Sequence, residues 1–212
     1  MSKPSPLPAA LCLLPLVPPL LLPDVGILIS LVIVVGALVL HRPARTPTLA
    51  AKWRATGISL LVGVAAGIAL QLLFVFAMEP VLKQVTKQST DLSALGAVEG
   101  NLPAYLFILV TSLLLGALAE EFVFRGFVVG WGSRLFGPKS ALPLVILSAI
   151  LFGLAHISQG PSGMIATGVA GLLLGLLYLA TNRKLLPVAA AHMTVNAIGV
   201  TLLYLGGWPA ES

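Results

Sequence analysis

Six long apolar runs, separated by short loops, leave this chain one solvent in which to fold. They cover approximately residues 25–40, 57–78, 103–129, 141–156, 164–180 and 186–205. A helix rises about 1.5 Å per residue, so about 20 apolar residues cross the hydrocarbon core of a bilayer. Charged residues make up only 9% of the chain, whereas a soluble domain carries about 25%. With a mean hydropathy of +1.05, disorder, collagen and a nucleic-acid-binding domain are excluded, because no basic stretch is solvated enough to face a phosphate backbone. The expected fold class is all-α, a polytopic transmembrane helix bundle of about six spanning helices.

Ahead of the first run, residues 7–23 are apolar but interrupted by Pro8, Pro15, Pro18, Pro19 and Pro23. Each proline removes an N–H and disfavours a regular helix, so this segment reads as interfacial or re-entrant. The single cysteine, Cys12, has no internal disulfide partner and says nothing about redox compartment.

The net charge of +5 is more informative for its placement than for its sum. With six spans, Arg42, Arg45, Lys52, Arg54, Arg125, Arg134, Lys139, Arg183 and Lys184 fall on one side, and only Lys83 and Lys87 on the other. Cytoplasmic loops are rich in Lys and Arg, which assigns the loops near 42–54, 130–140 and 182–185 to the cytoplasm. Residues 81–101 read as an amphipathic stretch on the opposite surface. Trp53, Trp131 and Trp208 read as interfacial anchors, and His41 as a loop residue. Gly63 with Gly67 and Gly171 with Gly175, each four apart, are expected to let neighbouring helices approach closely.

Several residues do not belong in hydrocarbon without a task. An ionisable group near the centre of a membrane helix costs about 2.5–3.5 kcal/mol on insertion scales, yet Glu120, Glu121 and Arg125 share one apolar run. At about 100° per residue, Glu121 and Arg125 fall on one face and can pair, while Glu120 points elsewhere. An unpartnered carboxylate in a poorly solvated place is suited to accepting a proton. His156 ends another run, in Phe152-Gly-Leu-Ala-His156, and His192 and Asn196 lie one turn apart in a third. An antiparallel hairpin closing at Pro138 would set Glu120 and His156 at equal depth. His192 starts closer to its own loop, about 12 Å past Lys184 against about 27 Å from Pro138 for the other two. The stretch from Arg125 to Lys139 is therefore expected to project, placing Arg125, Arg134 and Lys139 at or above the interface.

In this order, Glu120-Glu121-x-x-x-Arg125, Phe152-x-x-x-His156 and His192-x-x-x-Asn196 resemble the motifs of the CAAX-processing and bacteriocin-processing intramembrane proteases, a family that is Ras-converting-enzyme-like and of abortive-infection type. The resemblance covers roughly residues 100–205. It implies a membrane-embedded endopeptidase in which a glutamate and a histidine activate water. On that implication Glu120 is the general base, His156 holds and polarises the water, His192 and Asn196 stabilise the oxyanion, and Glu121, Arg125 and Phe152 support the site. The partners implied are the bilayer and a membrane-associated protein or peptide; the eukaryotic relatives cut prenylated proteins, and this chain is nearer in length to shorter relatives. Three parts follow: a proline-rich segment (1–24), two transmembrane helices with an amphipathic connection (25–100) and a catalytic core (101–207).

No cofactor is preferred. A zinc ion on Glu120, His156 and His192 is the metal alternative, since two histidines and a carboxylate with an open position often hold catalytic zinc. A proton-coupled transporter also places Glu, His and Asn inside a bundle, and a catalytically silent membrane scaffold is the third reading.

Overall fold

The structure, a computed structural model, describes residues 6–23, 25–49 and 57–207. Lys52, Trp53, Arg54 and Trp208, used above for topology and anchoring, lie outside them. Among the described residues every regular element is helical. In chain order the helices are α1 (Pro6–Leu21), α2 (Gly26–Leu40), α3 (Arg42–Leu49), α4 (Gly57–Thr86), α5 (Leu102–Leu135), α6 (Pro138–Ala155), α7 (Ile157–Ala180) and α8 (Leu185–Tyr204). Helices α4 to α8 are each long and apolar enough to cross a bilayer; α2 and α3, bent by 119° between them, make a sixth candidate. The chain is an integral, multi-pass membrane protein.

The prolines at the start shape a broken helix. Helix α1 is interrupted around Leu14–Leu16 and Val17 before a last turn, Pro18–Leu21. In an unbroken helix the carbonyl of Pro15 would accept from residue 19, but Pro19 has no N–H. Instead the Ser30 hydroxyl of α2 donates to that carbonyl at 2.7 Å, tying the segment back against the bundle.

Close packing is supplied by the expected glycines. A side chain at Gly63 would run into Pro187 and Ala190, and one at Gly67 into Ala191 and Thr194, so α4 and α8 touch nearly backbone to backbone. Gly171 and Gly175 of α7 do the same against Ala149, Phe152 and Val145 of α6. Without a hydrophobic drive between helices in lipid, this approach is what holds a membrane bundle together.

Helix α5 departs from expectation. It continues beyond residue 129 to Leu135, and its stretch Phe122–Trp131 is wound in wide turns and almost wholly buried. Helices α1, α3 and α6 cover it. Arg125 is therefore 1% exposed, enclosed by protein and not by solvent, and Trp131 is packed against His41 and Phe127 inside the protein rather than standing free at a surface. The reason is tertiary: short helices wrap a segment that, read alone, faces lipid. The 81–101 stretch also divides, since residues 81–86 extend α4 and only the remainder crosses that end of the bundle.

Candidate active site

Four helices bring the polar residues together. Glu120 and Glu121 sit on α5 between two segments of wide, i to i+5 turns, a rare winding that often marks functional positions. Arg125 donates to Glu121 Oε1 at 2.9 Å, as the spacing on α5 predicts, and also to the carbonyl of Gly171 on α7 at 2.6 Å. Its guanidinium lies 5.5 Å from the centre of the Phe152 ring and 6.0 Å from that of Phe124. A cation is tolerable there because a carboxylate, a carbonyl and two aromatic faces replace water.

His192 on α8 brings its Nδ1 within 2.8 Å of Glu121 Oε1, and its Nε2 lies 3.8 Å from Glu120 Oε2. Glu121 is thus the fixed carboxylate, shared by Arg125 and His192. Among the described residues Glu120 has no hydrogen-bond partner, and it is the more accessible of the two, with its side chain 14% exposed against 1%. His156, at the end of α6, places Nδ1 2.7 Å from the carbonyl of Phe152. A carbonyl only accepts, so Nδ1 carries the hydrogen and Nε2 is left as the ring's acceptor. The Phe152 ring stands 4.8 Å from that of His156 and 6.0 Å from that of His192, holding the two imidazoles apart. Asn196 donates one N–H to the carbonyl of Ser112 at 3.0 Å, leaving its second N–H uncommitted by that bond.

Two cavities meet at Glu120, Phe152 and His156. The larger, about 470 Å³, is lined by these residues with Gln159, His192 and Asn196, and otherwise mainly by apolar side chains such as Leu70, Phe74, Leu95 and Ile108. The smaller, about 110 Å³, is walled by Pro19, Pro23 and Ile27 from the N-terminal region with Ala155 and Ser158. Sequence reading missed Gln159 and Ser112, and it missed the N-terminal wall altogether. Gln159, a polar residue three after His156, was the one visible signal; contacts from Pro19, Pro23 and Ile27 have no sequence signature.

Among the described residues, no three His, Cys, Asp or Glu side chains are grouped closely enough to hold a metal ion. Glu120, His156 and His192 all line the larger cavity, and the Nδ1 of each imidazole is bonded outside that trio.

Fold and site together define a class, the all-helical, multi-pass membrane protein with carboxylate, imidazole and carboxamide groups enclosed in its bundle. Residues 102–198 match the family model described as type II CAAX prenyl endopeptidase Rce1-like, so over that segment the chain is similar to this family of membrane proteases. The match begins with α5, ends within α8, and contains Glu120, Glu121, Arg125, Phe152, His156, His192 and Asn196. No curated protein and no solved structure matches the chain.

Proposed function

We propose that the chain hydrolyses a peptide bond of a membrane-associated, prenylated protein, using water activated by Glu120 and His156. The observation that carries the reading is the bond from His156 Nδ1 to the Phe152 carbonyl, which leaves Nε2 as an acceptor in a cavity that Glu120 also lines. A water donating one hydrogen to His156 and the other to Glu120 keeps an oxygen lone pair free to attack.

As the water oxygen bonds to the carbonyl carbon, Glu120 takes its proton. The carbonyl oxygen becomes an oxyanion, met by the free N–H of Asn196 and by Nε2–H of His192 when that ring carries both protons, its Nδ1–H pointing at Glu121. The C–N bond then breaks, and the proton held on Glu120 passes to the leaving amine. Glu121 and Arg125 keep His192 in orientation. A mostly apolar cavity beside this polar centre supports a substrate with a lipid-like group.

The test is cleavage by the purified, detergent-solubilised protein of two fluorogenic peptides of one sequence, one farnesylated on a Cys-aliphatic-aliphatic-X end and one unmodified. Cleavage of the farnesylated peptide alone is expected, and it should vanish in Glu120→Gln. Equal cleavage of both would remove the prenyl requirement. Cleavage of neither would overturn the peptidase, leaving a carrier, which works only across a gradient, or a scaffold.

A further inference from the structure

A second polar cluster lies outside the family match, where α4 ends. Glu79 is 5% exposed, and both its oxygens are used: the backbone N–H of Thr90 donates to one at 2.9 Å and the Thr90 hydroxyl to the other at 2.6 Å. A buried carboxylate is costly unless hydrogen-bonded, so this one fastens the loop after α4 to the helix it has just left. The loop is in turn sewn to the junction between α6 and α7. The N–H of Asp91 donates to the carbonyl of Gln159 at 3.0 Å, and the Ser162 hydroxyl donates to the carbonyl of Gln88 at 2.6 Å and pairs with the Thr86 hydroxyl at 2.7 Å.

That junction is where His156 sits. The N–H of Gln159 donates to the His156 carbonyl at 2.9 Å, closing the short turn that follows α6. The turn then reverses at Gly160, whose φ of 71° with ψ of −180° is open essentially to glycine alone. His156 therefore caps α6, just past Ala155, at the start of a turn that lies beyond the helix. The turn is held from the loop by Asp91 and from α7 by the Thr167 hydroxyl, which donates to Gln159 Oε1 at 3.2 Å, and the loop is held by Ser162 and, through Thr90, by Glu79. Thr90 and Gln159 also line the larger cavity, so the chain of bonds runs along its wall.

We propose that Glu79 is a positioning residue: clasped to Thr90, it holds the loop of residues 87–91 against Gln159 and so fixes where the His156 imidazole stands in the cavity. This rests on the reading of His156 as the residue that holds the attacking water, and it assigns a part in that chemistry to a residue outside the family match.

The experiment has two readouts. The chain has three histidines, so ¹⁵N-histidine spectra of the full-length protein in detergent can be assigned by single His→Gln variants. Glu79→Ala is expected to move or broaden the His156 ring signals and leave those of His41 in place, while Glu79→Gln, which can still accept from the Thr90 N–H, keeps the wild-type spectrum. Unmoved His156 signals in Glu79→Ala overturn the inference, whether or not the protein cleaves peptide. In cleavage of the farnesylated probe, Glu79→Ala lowers kcat by about 10-fold to 100-fold, as expected for a small misplacement of a reacting group, with little change in KM. Glu79→Gln and Thr90→Ser, which keep acceptor and donor, keep the wild-type kcat. In a His156→Ala background, adding Glu79→Ala changes the residual rate by less than about twofold, because the two act through one group. Multiplying losses, or a kcat of the folded Glu79→Ala protein equal to wild type, would overturn the inference while leaving the peptidase assignment standing.

Discussion

His192 Nδ1 lies 2.8 Å from Glu121 Oε1, the same oxygen that accepts from Arg125 at 2.9 Å. Adjacent glutamates thus part into two roles. One is locked between a cation and an imidazole on another helix, and its neighbour in sequence faces the cavity.

Glu121→Gln leaves the Arg125 guanidinium buried opposite a neutral amide. Removing one partner of a buried ion pair costs about 3–5 kcal/mol, so this variant should unfold in milder denaturant than wild type as well as lose turnover. Glu120→Gln, by contrast, should keep the wild-type unfolding midpoint and lose about 10²-fold to 10⁴-fold in kcat, the usual range for a general base. Denaturation followed by circular dichroism, paired with peptide cleavage, separates the two. Matching stability losses in both variants would contradict the division.

Asn196→Ala removes one donor aimed at developing negative charge. A loss of about 10²-fold in kcat with KM nearly unchanged is expected, as when one oxyanion-hole donor is deleted. A purely higher KM would instead place Asn196 in ground-state binding.

Turnover by an active preparation should survive prolonged treatment with a metal chelator, since the proposed water is held by Glu120 and His156. Loss of activity restored by added zinc would reassign Glu120, His156 and His192 as ligands.

Gly67 packs against Ala191 and Thr194, which flank His192 in sequence. Gly67→Leu must push α4 and α8 apart, costing about 1–3 kcal/mol and shifting His192 away from Glu121. Gly36→Leu, at a position with open space beside it, is the control and should change neither stability nor cleavage much. Kinetics and melting of both variants check the pair; equal behaviour would show that the α4–α8 contact does not set the site.

Much of this protein was legible in order of residues alone. Runs of apolar residues long enough for a bilayer announce helices, because a backbone in lipid satisfies its hydrogen bonds only within itself. Glycines four apart marked the α4–α8 and α6–α7 contacts, and the i to i+4 spacing foretold the Glu121–Arg125 pair, both being properties of a single helix. Glu120, His156, His192 and Asn196 stood out because polar groups are costly in hydrocarbon. What sequence could not supply depends on contacts between distant segments. Burial of Arg125 and Trp131 comes from α1, α3 and α6 wrapping one stretch of α5, and the pairing of His192 with Glu121 comes from two helices meeting. The N-terminal wall of the smaller cavity and the bond from Thr90 to Glu79 arise in the same way. Periodicity tells each helix which of its faces are apolar; which neighbour covers a face is a property of the assembled bundle, and tertiary packing alone decided it.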